Sequence, residues 1–255
     1  MIAAKTIAKY TCLEAVRNRL PVLLLIIGFI VWGLTGFIGE LTVTETSQIQ
    51  ASFMGFIARF FAVLIIIMMV ISSCSREFSD KTINVVLSLP YPRYQYYLGK
   101  LAGFILLAMA TALFFSIPLF FYADFNQVII WYFSLSLEMI IVSAAALLFM
   151  ISLGSMTSAF TLTIAFYLLS RSIQTIILIS KSPIMEDHSL LRSFMDFLLT
   201  SIAWLLPSLN QFARSDWLVY GGANHSDLIA NLVQTAIYVS FLLLVALIDI
   251  YRKNF

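Results

Sequence analysis

Charge is what this sequence has least of. Of 255 residues, 13 are Asp or Glu and 15 are Lys or Arg, 11% of the chain, whereas 61% are hydrophobic. A water-soluble domain of this size needs a charged shell, and so few ionic side chains do not supply one. The net charge is +2 and the basic residues are scattered without a continuous stripe, which argues against a nucleic-acid partner. Cysteine is nearly absent. Cys12 and Cys74 are expected at or near a cytoplasmic face where thiols stay reduced, so neither a disulfide nor a metal site is expected from them. The two histidines, His188 and His225, lie far apart with no cysteine beside them and read as loop residues. Methionines such as Met68, Met69, Met139, Met150 and Met156 are spread over apolar segments. They read as packing or lipid-facing residues and not as a soft-metal path.

Catalytic signatures are missing as well. No H-E-x-x-H, G-x-S-x-G or paired-carboxylate pattern occurs. Gly99-Lys100 has the look of a phosphate loop, but Leu101 follows where Ser or Thr is needed. Tyr94 also stands where the first glycine belongs. The chain is therefore not expected to be an enzyme or to hold a cofactor or metal, and any ATP-driven work falls to a partner.

What is present is apolar residues in long blocks. A helix crossing the hydrocarbon core needs about 20 of them. Six segments qualify, at 20–40, 57–74, 100–122, 129–153, 159–180 and 228–249, and no repeat or flexible linker separates them. The expected fold is an all-α membrane protein with a single domain over 1–255. The first block follows Glu14, Arg17 and Arg19 and precedes no A-x-A-like site, so it reads as a retained span and not a signal peptide. Before it, Ile2, Ile7, Tyr10, Leu13, Val16 and Leu20 recur at helical spacing. Lys5, Lys9, Glu14, Arg17 and Asn18 fall mostly elsewhere on the wheel. That pattern predicts a helix lying in the headgroup layer, with an ordinary solvated helix start as the alternative.

Lys and Arg set the orientation. With the N-terminus inside, Lys5, Lys9, Arg17, Arg19, Arg76, Lys81, Arg93, Lys100, Arg252 and Lys253 are cytoplasmic. Only Lys181, Arg192 and Arg214 lie outside. Such a bias predicts both termini in the cytoplasm, in a bacterial inner membrane. Within the outer segment 181–227, residues 194–206 are apolar but short, contain Asp196 and are stopped by Pro207. They predict a re-entrant or interfacial hairpin over 194–213 and no seventh crossing, which would carry Arg252 and Lys253 outside.

Three ionisable residues fall within spans. Arg59 is within a turn of the outer surface and is expected to snorkel. Glu138 and Arg171 each sit roughly 13 Å below that surface on consecutive spans joined by the short turn 154–158. A lone charge there costs several kcal/mol, so the two are expected to pair, either as a staple or in a transport path.

The loop after the second span carries the remaining signal. Glu77 and Lys81 have i, i+4 spacing, Glu77 and Asp80 suit a helix start, and Phe78, Thr82, Val85/Val86 and Leu89 form a less polar stripe ended by Pro90. A short amphipathic helix is predicted, suited either to docking in a groove of a cytosolic protein or to capping the bundle. The run Arg76-Glu77 to Thr82, Leu87, Pro90, Arg93 and Leu98-Gly99-Lys100 resembles the permease subunits of type-2 ABC exporters. It looks closest to the branch associated with multicopper-enzyme maturation and nitrous-oxide-reductase accessories. Glu14 to Leu20 is similar to the segment before the first span in that family, and the likeness covers about the first 105 residues.

The resemblance implies a six-span half-transporter paired with a second copy or a homologous permease. The residues implied to engage a cytosolic ATPase, which carries the ATP and Mg, are Arg76, Glu77, Phe78, Asp80, Lys81, Thr82, Val86, Pro90 and Arg93. Lys5, Lys9, Glu14, Arg17 and Arg19 belong to the implied elbow helix. Copper is not the expected cargo, since the chain lacks ligands for it. Lipids, peptides or other amphipathic molecules suit its Phe, Leu, Ser and Thr better. A non-transporting assembly subunit and an intramembrane lipid-modifying enzyme are the rival readings.

Overall fold

The structure, a computed structural model, describes residues 2–42, 45–80, 93–180, 190–222 and 224–252. Among them every regular element is helical. The chain begins with α1 (Ile2–Arg17) and turns at Asn18-Arg19 into α2 (Leu20–Leu41). Pro21 in the first turn of α2 suits that start, because its missing N–H is one that no helix satisfies. Arg19 takes the left-handed conformation, with φ 59°, and this breaks the two helices apart.

After α2 comes α3 (Thr46–Ser79), which is longer than the predicted second span at both ends. Its first turns are polar, so hydropathy misses them. They are held to α2 because Gln50 donates to the Thr35 carbonyl at 3.1 Å. At the other end α3 runs unbroken through Arg76, Glu77 and Phe78. The helix predicted to start at Glu77 does not start there, since Asp80 caps the C-terminus of α3 with its N–H on the Arg76 carbonyl. Lys81, Thr82, Val86 and Pro90 lie outside the described residues, and so does the rest of the predicted loop helix.

Next come α4 (Arg93–Ser116), tightened by Pro118 into a 3₁₀ turn at Ile117–Phe121, and α5 (Phe125–Leu153). Gly154 closes α5 at φ 66°, a conformation glycine adopts without cost, and α6 (Met156–Ser180) returns beside it. The short α7 (Leu190–Leu205) stops two residues before Pro207, as the restriction on residues preceding proline requires. A 3₁₀ turn at Leu209–Gln211 and the six-residue α8 (Ser215–Tyr220) precede α9 (His225–Arg252).

Six of these helices, α2, α3, α4, α5, α6 and α9, are long and apolar enough to cross a membrane. They divide by burial. In α5 83% of the apolar window is buried and in α3 67%, against 11% in α2 and 22% in each of α6 and α9. The core is therefore the α3–α5 pair, packed through Ala58, Ala62, Val70, Ala144 and Ala145, while α4, α6 and α9 pack onto α5. Small residues let these backbones approach, which matters where burial in lipid supplies no hydrophobic drive. The outer helices expose Phe29, Phe37, Leu178 and Ile237. Surfaces of that kind suit hydrocarbon and not water.

α1 lies along α4 with an unexpected face inward. Ala8, Thr11 and Ala15 are buried, and the large apolar Tyr10, Leu13 and Val16 are exposed. The close contact is made at Gly103, where a Cβ would meet the Thr11 Cβ at 2.7 Å.

Candidate functional site

Polar side chains in a bundle this apolar need partners, and they gather at its two ends. The end carrying α1 is organised around Lys100, whose side chain is 2% exposed. Its ammonium donates to Glu77 Oε1 at 2.7 Å and to Ser73 Oγ at 3.0 Å, and Glu14 Oε2 is 3.8 Å away. Ser73 in turn donates to Glu14 at 2.8 Å. The Tyr96 hydroxyl donates to the other oxygen of Glu77. The Phe104 ring stands 5.7 Å from the ammonium, over the inner side of the cluster. One buried cation is thus shared between an acid on α1 and an acid on α3. Beside the cluster Arg76 donates to Asn18 at 3.0 Å, and a cleft of about 610 Å³ opens between α1 and the ends of α3 and α4.

The opposite end holds an inserted segment. Leu206, Leu209, Phe212 and Ala213 are buried among the helices although residues 206–214 are mostly non-helical. Buried non-helical backbone must find its donors and acceptors in protein. Arg171 donates to the Leu209 carbonyl at 2.6 Å and the Phe212 carbonyl at 3.3 Å, and to Glu138 Oε1 at 3.0 Å. Glu138 is fully buried, and Tyr167 lies against it. Arg59 donates to the Ala213 carbonyl at 2.9 Å and Trp131 donates to the same oxygen at 3.2 Å. The Ala213 N–H donates to Ser134, which also accepts from Asn231 at 3.0 Å. Ala213 is held at φ 44°, a conformation an alanine adopts only under constraint.

The residues expected to matter therefore separate. Glu14, Arg76, Glu77 and Lys100 meet at one end, and Glu138 and Arg171 meet at the other. Glu77 pairs with Lys100 on α4, and Lys81, the partner its i, i+4 spacing offered, lies outside the described residues. Asp80 is exposed, and Phe78 packs partly into the core. Lys5, Lys9, Arg17 and Arg19 are exposed on or just after α1. The side chain of Arg93 lies outside what the structure describes.

Arg59 is a correction. It does not snorkel but is 6% exposed, turned inward to the carbonyl of Ala213 that it shares with Trp131. The sequence reading passed over Ser73, Trp131, Ser134 and Asn231. A hydroxyl inside an otherwise apolar span was the available signal for Ser134 and Ser73, and the many other serines of the chain hid it.

Outside the spans, partial burial pushes the Cys12 thiol up, and its Sγ lies 3.7 Å from the Gly103 carbonyl. On α8, partial burial pushes Asp216 up, but the Arg214 hydrogen bond outweighs it and the carboxyl ends below its usual range. Among the described residues no three His, Cys, Asp or Glu side chains converge as a metal site. No protein-family model matches this sequence, and no curated protein matches it.

Proposed function

We propose that this chain is the membrane-spanning permease subunit of an ATP-binding-cassette exporter. It would move a lipid, peptide or other amphipathic molecule across a bacterial inner membrane, using ATP hydrolysed by a separate cytosolic subunit. The observation that carries the reading is the convergence on Lys100. Glu77 and Lys100 stand at the two ends of the run that resembles the exporter permeases and Glu14 opens the second similar stretch, and the three form one ionic cluster around a buried lysine. A push delivered on the chain between α3 and α4 reaches both helices through the 2.7 Å contact of Glu77 with Lys100, and reaches α1 through Ser73 and Glu14. A junction so tied transmits force instead of absorbing it.

Two further features support the same reading. The distribution of Lys and Arg favours entry of the N-terminus from the cytoplasm, and with that orientation this junction would face the side where ATP is available. The barely buried helix α6 exposes Thr157, Thr161, Ser172 and Thr175 along one side, hydroxyls suited to a path between two paired copies. In this arrangement the 206–214 segment is a re-entrant piece at the outer end of that path.

Purification of the complex tests the proposal. An ATPase is expected to accompany the chain, with hydrolysis that responds to candidate amphipathic substrates. Glu77→Gln is expected to leave ATPase association intact while breaking the link between hydrolysis and transport. Replacement of 81–89 by a Gly/Ser linker is expected to abolish association. Transport and association unchanged in both variants overturns the proposal. An associated ATPase indifferent to every substrate points instead to an assembly subunit.

A further inference from the structure

Two cavities meet where α1 breaks into α2, and together they have the shape and charge of a lipid site. One is a groove of about 420 Å³ between α2 and α3, walled by Val22, Ile26, Ile65 and Met68 and floored by Met156, with Asn18 and Arg19 at its mouth. The other is the cleft of about 610 Å³ beside the Lys100 cluster, which shares Asn18 with the groove and is lined by Arg17 and Arg76. The groove follows α2 from its first residues to Ile27, about 10 Å of helix at 1.5 Å per residue. It is apolar along its walls apart from Ser72, whose hydroxyl is taken up by the Met69 carbonyl.

The charge at the mouth is unbalanced. Arg17, Arg19, Arg76 and Lys100 face Glu14 and Glu77, which leaves two positive charges in excess, and both acids are already engaged by Lys100. Among the described residues neither Arg17 nor Arg19 makes an ion pair, and both are exposed. α2 also begins with no side-chain cap, so its first N–H groups add to the positive field at this point.

We infer that this junction is a binding site for an anionic phospholipid. One acyl chain lies in the groove between α2 and α3, and the headgroup phosphate sits between Arg19 and Arg17 at the α1–α2 break. Basic pockets between membrane helices take anionic headgroups for the same reason: the arginines hold the charge while the adjoining groove removes a chain from the bulk bilayer. The inference stands whether or not the chain moves a substrate.

The test is competition between phosphatidylglycerol and phosphatidylcholine for the delipidated full-length protein, read by native mass spectrometry. Each arginine close to an anionic headgroup is worth about fivefold. The wild type is therefore expected to retain phosphatidylglycerol over phosphatidylcholine by roughly twentyfold or more. Arg17→Gln/Arg19→Gln brings the two near parity, whereas Arg214→Gln at the opposite end leaves the preference intact. Ile26→Trp/Met68→Trp, which fills the groove and keeps the charges, removes the retained lipid. Equal retention of the two lipids by the wild type overturns the inference without needing any variant. So does an unchanged preference in the double-arginine variant, or displacement of the bound lipid by free glycerol phosphate, which would mean a site for the phosphate alone.

Discussion

Arg171 serves three acceptors with one guanidinium, and this decides how its substitutions behave. Reversing the pair, as Glu138→Arg with Arg171→Glu, keeps opposite charges in contact but puts a carboxylate beside the Leu209 and Phe212 carbonyls, where it cannot donate. The double reversal is therefore expected to fail as badly as either single one, even though the wild-type groups are 3.0 Å apart. Arg171→Met strands a fully buried carboxylate and two carbonyls and is expected to cost about 3–5 kcal/mol. Arg214→Ala breaks a half-exposed ion pair and is expected to change stability by less than about 0.5 kcal/mol. Thermal melts of the two variants in one detergent make the comparison. The raised Cys12 thiol gives a second expectation at this scale. With Cys74 replaced by Ala, Cys12 should react with maleimide more slowly than a cysteine placed at the exposed Gly222. Raising the pH toward ~9 should narrow the gap, since the thiolate is the reacting form.

At the scale of elements, the seat of α1 on α4 depends on the missing side chain of Gly103. Gly103→Val drives a branched carbon into Thr11 and the Ala8 carbonyl, neither of which can withdraw without moving α1. A loss of about 1–3 kcal/mol is expected, with faster labelling of Cys12 as its contact with the Gly103 carbonyl opens. An unchanged melt and unchanged Cys12 reactivity would mean that α1 is not seated there. The sequence announced α1 as amphipathic but not which face turns inward. Helical spacing marks the large apolar stripe of Tyr10, Leu13 and Val16, and in a membrane protein that stripe is free to face lipid while small residues face protein. The six apolar helices were legible because each must satisfy its backbone internally across the hydrocarbon core. Their ends were not, because hydropathy stops where the polar turns at Thr46 and Arg76 begin, while the hydrogen-bonded helix continues. Glu138 and Arg171 could be paired from their equal depth and the short turn between their spans, and they lie 3.0 Å apart. The meeting of Glu14 with Glu77 and Lys100 needed α1 to be brought against both ends of the 76–100 run, which no local pattern reports.

Over the whole molecule, the described charged groups gather in two clusters, one around Lys100 and one reaching Glu138 midway along α5, so each has its own test. Side-specific labelling addresses orientation. In a chain lacking Cys12 and Cys74, Asn254→Cys is expected to resist an impermeant maleimide applied outside intact cells, whereas Gly222→Cys reacts. Labelling of position 254 from outside would overturn the six-crossing arrangement. The segment at 206–214 has a consequence of another kind. Arg59, Arg171 and Trp131 grip it by carbonyl oxygens, which every residue carries, and not by its side chains. Selection on the grip therefore falls on the arginines and the tryptophan, while the gripped stretch is free to diverge wherever its volume is preserved. A comparison across species would find fixed cations facing a drifting sequence.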